Sequence, residues 1–424
     1  MPASFHHAVR GLALAVLAAA APAIAGPLGF DDSLRLAQQR SLQLPAQAAA
    51  ATAAREMAVA AGQRPDPTLK VGVANLPVNG SDRFSLTSDF MTMRSIGVMQ
   101  ELTRPGKLQA RSARLEREAA AAETQRQWLL ANLQRDTATA WLDRHFLQRM
   151  QALLAEQRTE ARLQVDAAEA AYRGRTGSQA DVFAARSAVA LVEDRLAQTG
   201  RELATAGTML ARWVGPAAGE APGPAPALDR LRWSDDDLDA VVAHHPELAL
   251  MAQQESIAQA DADLARSNLQ PDPSVELMFS QRGPGYSNMV SVTVSVPLQW
   301  DRPHRQDREL AARLATVAQV RAQREEATRA HAADTRALLQ EWRSARQRLQ
   351  RYDDALQPLA QQRSQAALAA YRGGAGPLAA VLEARRAEID TRMDRLRLEM
   401  EAARLWVRLN TLAPWTHGEP EAQR

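Results

Sequence analysis

Cysteine is absent from the 424 residues. Its absence excludes disulfides and a thiol nucleophile, so stability must come from packing and assembly. It also leaves no residue for the N-terminal lipidation that anchors bacterial lipoproteins. Aromatic residues make up only 4% of the chain, and much of the 46% hydrophobic fraction is alanine. Such a composition favours closely packed helices over a large globular core. The formal net charge is only +2, and the pI near 9.3 rests on arginines scattered among acids. With no Lys/Arg block, nucleic acid is not an expected partner. Beyond the N-terminus no apolar run is long enough for a transmembrane helix, so any membrane span must be built from strands. A Gly-rich phosphate loop and a Gly-x-Ser-x-Gly elbow are both missing, and no enzymatic activity or cofactor is expected.

What the chain does have is repetition. Arg64-Pro65-Asp66-Pro67 returns as Gln270-Pro271-Asp272-Pro273. Arg104-Pro105 returns as Arg302-Pro303, and Ala171-Tyr172-Arg173-Gly174 as Ala370-Tyr371-Arg372-Gly373. The spacing of about 200 residues is too long for a solenoid and suits a duplicated half. Residues 1–25 read as a secretory signal peptide, with Arg10 before the apolar Gly11–Ala21 stretch and Ala23-Ile24-Ala25 before a cut at Gly26. The first repeat then spans 26–214, a Pro/Gly-rich linker 215–228, the second repeat 229–413, and a tail 414–424.

Each repeat predicts a helix, two strands, a very long helix and a shorter one. In the first, a helix from Asp31 to Gly62 ends at Pro65 and Pro67. Strands follow at about 68–74 and 95–102, then helices at about 107–172 and 178–213. In the second, a helix from Asp235 to Leu269, with Ser234 as its cap, leads to strands at about 274–281 and 290–298. Helices at about 303–370 and 378–412 complete it, with Pro358 expected to kink the longer. The first long helix carries a heptad stripe of Leu133, Ala140, Leu147, Leu154, Ala161 and Ala168. The second carries Leu338, Ala345, Tyr352, Leu359 and Ala366 in step. An unbroken rod of this kind is on the order of 100 Å long. The last strand alternates Val290, Val292, Val294 and Val296 with Ser291, Thr293 and Ser295, which fits lipid on one face and water on the other.

Four strands cannot close a barrel, and an open edge is untenable in lipid. Several copies must share one barrel, and three would supply about twelve strands. The fold class expected is therefore mainly α with a small β part: duplicated helical-hairpin and β-hairpin halves, a trimeric β-barrel, and a long α-helical tunnel continuing it. A small soluble sheet capping a periplasmic coiled-coil scaffold is the alternative of another class.

This duplicated plan resembles the TolC-like outer-membrane efflux channels over nearly all of the chain after residue 25. The Pro-Asp-Pro and Arg-Pro joints look like that family's barrel-to-tunnel transitions. Asn75-Leu76-Pro77-Val78-Asn79-Gly80, Asp89-Phe90-Met91-Thr92-Met93 and Gln100-Glu101-Leu102 are similar to its heavy-metal, CzcC/CusC-like branch. The resemblance implies a homotrimer in outer-membrane lipid of a Gram-negative bacterium, a periplasmic adaptor protein, and a proton-driven inner-membrane RND pump. Export of heavy-metal cations follows from the branch; a channel for drugs or organic solutes is the alternative within the fold.

The resemblance also places functional residues at the helical-hairpin tips. It implies that Asp181 and Tyr371, partnered across subunits, hold a periplasmic gate and that Glu383 supplies an acidic ring. Gly174, Arg175, Gly177, Arg372, Gly374 and Gly376 would form the tips that dock the adaptor. The chain departs from the family at Gly376, where a basic residue is common, and at Ala380, where an acid is. Arg173, Arg175 and Arg372 are the available substitutes. As ordinary chemistry, Asp181 also suits a helix N-terminus and Tyr371 a helix core. Met91, Met93, Met99, Met278 and Met289 cluster near the strands and offer soft thioethers, but read as packing. His244-His245 reads as a helix-start pair, and His145, His304 and His331 stand alone in sequence, so no metal site is expected.

Overall fold

Prolines decide where the rods of this molecule break. The computed structural model describes residues 26–415; the expected signal peptide and the end of the tail lie outside them. The single helix expected over 31–62 is two, α1 (Phe30–Arg40) and α2 (Gln43–Ala61), with Ser41 extended between them. Pro45 has no N–H to give the Ser41 carbonyl and its ring crowds that oxygen, so the helix restarts with the proline in its first turn. The helix expected over 235–269 also divides. A 3-10 turn at Asp235–Asp237 leads into α5 (Leu238–Ala243), and α6 (Pro246–Ser267) starts anew at its proline. His245 before it is extended, as a residue preceding proline prefers.

The strands β1 (Thr68–Ala74), β2 (Met93–Glu101), β3 (Ser274–Gln281) and β4 (Met289–Ser295) form one sheet in the order β1-β2-β3-β4. Every neighbouring pair is antiparallel. Gly97 is required in the middle of β2, because a Cβ there would stand 2.8 Å from the Leu277 carbonyl oxygen. β4 stops three residues before the expected end at 298. Its last pair is Ser295 with Ser274, and beyond Ser274 the facing residues are Pro273, Asp272 and Pro271, which cannot continue a ladder.

From β2 the chain enters α3 (Pro105–Arg173), one helix of 69 residues with Pro105 in its first turn. All six residues of its expected stripe are buried. It packs against α2, against α4 (Gln179–Val214), against α6 and against α9 (Leu378–Asn410). The second long helix is not continuous. After a 3-10 turn at Arg302–His304 come α7 (Gln306–Arg351), a π-helical turn at Tyr352–Leu356, and α8 (Gln357–Arg372). Pro358 cannot donate to the Asp354 carbonyl, and the wider turn absorbs the missing bond. A π turn holds one extra residue, so the buried stripe slips by one. Leu359 is 61% exposed while Ala360 is half-buried, and Ala366 is exposed while Ala367 packs inward. The second heptad as expected is therefore wrong below Tyr352.

Most of the tryptophans gather in one belt. Phe30, Trp141, Trp342 and Trp406 are buried together with Leu28, Leu34, Phe146 and Leu409, and Trp233 and Trp415 pack against them. Trp141 donates its indole N–H to the Leu28 carbonyl at 3.0 Å, and Trp406 donates to that of Arg230 at 2.6 Å. The stretch expected to be a plain linker is part of this belt. Leu28 N–H donates to the Ala221 carbonyl at 2.8 Å and Gly223 N–H to that of Leu28 at 2.9 Å.

Candidate functional site

Register makes the sheet two-faced. One rung across it reads Leu69, Val98, Leu277, Val292, and the next reads Val71, Ile96, Phe279, Val290. All eight are exposed, from 43% at Phe279 to 74% at Val71. The intervening rungs point to the other face and read Lys70, Gly97, Met278, Ser291 and Thr68, Met99, Glu276, Thr293. There Lys70 Nζ meets Glu276 Oε2 at 2.5 Å. A continuous apolar face that no described part of the chain covers is a contact surface for something else. The outer edges of β1 and β4 likewise lack a partner strand among the described residues. Because strand direction alternates through the sheet, β4 of one copy would pair antiparallel with β1 of the next.

The loop joining β1 to β2 holds the residues that carry the branch resemblance, and they bond to one another. Asp89 accepts the Met91 and Thr92 N–H groups at 2.7 and 3.1 Å. Thr92 is buried and donates its hydroxyl to the Asn75 carbonyl at 3.0 Å, while Asn75 donates to that of Met91 at 3.3 Å. The motif thus shapes a loop, with Met91 in it and Met93 opening β2.

Where the sheet meets the helices, the repeated motifs bind each other. Asp272 accepts the Arg104 N–H at 3.1 Å and pairs with Lys107 Nζ at 2.8 Å, its side chain only 6% exposed. Leu102 N–H donates to the Pro273 carbonyl at 2.8 Å, and Arg104 also bonds Gln270. The joint is Arg-Pro of the first repeat on Pro-Asp-Pro of the second. The reciprocal residues, Asp66 and Arg305, are both exposed and do not meet each other in the chain.

At the far end, the α3–α4 and α8–α9 hairpins form two tips side by side. Ser178 caps α4 in a capping box with Asp181. The Asp181 N–H donates to Ser178 Oγ at 3.2 Å, and the Asp181 carboxylate accepts the Ser178 N–H at 2.9 Å and hydroxyl at 2.7 Å. The Ser178 hydroxyl, then its N–H, hold the Asp181 carboxyl below the usual carboxylate range. Tyr371 is half-buried against Ala168, Val182, Leu378 and Val381. Asp181 and Tyr371 line one cleft between the tips, together with Arg175, Gly177 and Gly376. Glu383 does not join them. It lines a separate cleft and pairs with Arg363 of α8 at 2.8 Å. Gly174 ends α3, Arg372 ends α8, and Gly374 takes φ +73° in the second tip.

Between sheet and tips the fold brings together residues that look isolated in sequence. The rings of His245 and His331 lie 4.5 Å apart, and His331 Nε2 is 3.3 Å from Glu247 Oε2. Burial, then the neighbouring His331, push His245 down to about 4, with Arg135 adding to the effect and Glu247 opposing it. Only a helix pairing of α6 with α7 could have revealed this cluster, and periodicity alone does not supply it.

The fold so described is that of the outer-membrane channels. OprN, an outer-membrane channel, superposes with a TM-score of 0.77 at 16% identity, over 91% of this chain and 90% of its own. CusC, described for its transmembrane channel formation, gives 0.74 at 16% identity over 91% and 92%. VceC, an outer membrane protein of Vibrio cholerae, gives 0.71 at 18% identity over 90% and 95%. At such identities the likeness is one of fold. In sequence, residues 238–413 match the outer membrane efflux protein family, so the second half of the chain carries that family's pattern. No curated protein matches the chain as a sequence relative.

Proposed function

We propose that this chain is the outer-membrane exit duct of a tripartite efflux system, working as a homotrimer and passing heavy-metal cations. The observation that carries the reading is the uncovered two-faced sheet with both edges open. In lipid those edges must be paired, and copies of the same sheet supply the partners. The Leu69 and Val71 rungs would then face lipid and the Lys70 and Thr68 rungs the lumen. The reciprocal joint would form between copies, Asp66 of one against Arg305 of the next, mirroring Asp272 with Lys107 within the chain. Below the barrel, the helices continue as a periplasmic tunnel. The tips at Gly174, Arg175, Gly177, Arg372, Gly374 and Gly376 dock a periplasmic adaptor, which links the duct to an inner-membrane RND pump. The duct itself performs no chemistry; the pump drives export.

In this reading Asp181 and Tyr371 hold the tip closed. Arg175, which lines their cleft, is the basic partner in place of the residue missing at Gly376. Glu383 adds negative charge above the tip, moderated by Arg363, and a ring of such acids favours cations. Metal cargo is supported by the likeness of the Asn75–Gly80 loop and its neighbours to the heavy-metal branch.

A detergent-stable trimer from outer-membrane fractions is the expected result; a monomer, or fractionation with soluble periplasm, would favour the scaffold. Deleting the gene should lower tolerance to copper, silver, zinc, cobalt or cadmium. Unchanged metal tolerance with increased antibiotic sensitivity would replace the cation reading with organic solutes. Asp181→Ala should raise conductance in planar bilayers. Because folding lowers the Asp181 carboxyl from its ordinary 3.8, its capping contribution is complete above that value and is lost as pH falls through the lowered one. The conductance gain should therefore be constant between about pH 5 and 8. An unchanged conductance would leave Asp181 as a helix cap only.

A further inference from the structure

We propose that His245, Glu247 and His331 form a binding site for a divalent first-row transition cation of the zinc or copper(II) class, clasping α6 to α7. One ligand atom from each side chain lies within 4.8 Å of the other two. The His331 Nε2 to Glu247 Oε2 separation is 3.3 Å. Two ligands at zinc's usual bond lengths and a tetrahedral angle stand about 3.3 Å apart, so this edge of the coordination shell already has its final length. The wider edges close by turning the His245 ring, whose centroid is 4.5 Å from that of His331. Two imidazoles and a carboxylate form a donor set that suits zinc, copper(II) and nickel. All three side chains are half-buried, which leaves a fourth position for water and a path for the ion.

An ordinary ion pair needs only His331 and Glu247. It gives no reason for a second imidazole to be desolvated against the first. The cost of binding is also visible. His245 Nδ1 accepts the Glu247 N–H at 3.3 Å and so caps α6. Whichever ring nitrogen binds the ion, this long bond is given up, because the imidazole has only one lone pair free of a proton. Arg135 opposes a bound cation, but it is paired with Asp136 at 3.0 Å, and Glu247 faces the ion directly.

The two elements being clasped matter. α6 leads into β3 and α7 leaves β4, so they are the two legs of the second β-hairpin. The cluster lies at the end of α6 farthest from the sheet, about 35 Å along the helices. A cation here ties the legs together beside the aromatic belt. The inference does not depend on what the duct carries.

The test uses the untagged, detergent-extracted full-length protein and Zn²⁺ alone, followed by titration calorimetry. One ion per chain is expected. His331→Gln should weaken binding at least tenfold or so. His245→Asn should do the same while keeping a good helix cap, so its ion-free thermal midpoint should match that of wild type. Co²⁺ should give wild type the intense visible bands of a low-coordinate site, and neither variant should show them. His304→Gln, at the exposed pair with Asp301, should bind as wild type does. No Zn²⁺ binding by wild type, or wild-type affinity retained by the His245 or the His331 variant, would overturn the site. Metal tolerance of cells tests the duct separately.

Discussion

Asp272 and Asp66 stand at the same point of two Pro-Asp-Pro repeats, yet only Asp272 finds its partners at hand. Asp272 is buried against Lys107 and the Arg104 N–H; Asp66 is exposed. The same inequality recurs along the molecule. α3 runs 69 residues without a break, whereas its counterpart is split by a π turn. Arg175 occupies a left-handed position that Gly374 fills in the other tip. A duplicated chain places equivalent joints at equivalent sites, but it can close only those whose two sides fall within one copy. The second half can diverge where packing tolerates a shift, as the π turn shows, provided the faces below it are rephased.

That rephasing gives the largest expected effect. Removing Ala355 would turn the π turn back into α-helix and rotate everything below by about 100°. Leu368 and Tyr371 would swing out of the packing with Ala168, Val182, Leu378 and Val381, and Ser364 would leave its buried position. The Arg363 to Glu383 pair, at 2.8 Å, would also be lost. A loss on the order of 4 kcal/mol is expected for the lower hairpins, read as faster amide exchange in α8 and α9. Equal exchange would mean that the two long helices tolerate either phase.

The joints come next. Lys107→Ala leaves the Asp272 carboxylate buried with one hydrogen bond, and should cost about 3 kcal/mol in the folding of the chain itself. Asp66→Arg should leave the single chain's helicity intact and weaken the assembly, by roughly 1 kcal/mol at each joint. Arg305→Asp in the same chain should restore the melting temperature of the proposed trimer. If Asp66→Arg is silent, or the double variant is no better than the single, the two repeats do not use the same joint.

Alternation and proline account for what the sequence made legible. The valines of β4 face one way and its serines the other, and the first stripe is buried at all six positions. Pro45 and Pro246 mark the two helix breaks in the same way that Pro65 and Pro67 mark the end of the first helical segment. The slip of the second stripe was not readable, because a proline announces a distortion and not the extra residue that absorbs it. At the tips, Ser178-x-x-Asp181 is legible as a capping box, and Asp181 and Tyr371 do share a cleft. Glu383 pairs with Arg363 only because α8 and α9 fold back on each other, which spacing along the chain does not reveal. The His245, Glu247 and His331 cluster could not be read at all, since it exists only once α6 lies on α7.

The smallest effect concerns the tips. Arg175 sits at φ +56° and Gly374 at φ +73°, each in the turn that follows a long helix. In both, the next residue closes the turn: Thr176 N–H donates to the Ala171 carbonyl at 2.9 Å and Ala375 N–H to that of Ala370 at 2.8 Å. A left-handed conformation costs an L-residue about 1 kcal/mol and glycine almost nothing. Arg175→Gly should therefore relieve strain in the folded tip, but it also gives the unfolded chain more freedom to lose. The net gain is expected to be a few tenths of a kcal/mol. Gly374→Ala sets the same two effects against each other with their signs reversed, and the left-handed strain should leave a net cost of a few tenths of a kcal/mol, seen as faster local amide exchange in the second tip alone. Since Arg175 also lines the cleft of Asp181 and Tyr371, its glycine variant separates two roles. Slower exchange with higher conductance would show a strained residue retained for the gate. Slower exchange with unchanged conductance would leave the arginine to the proposed adaptor contact.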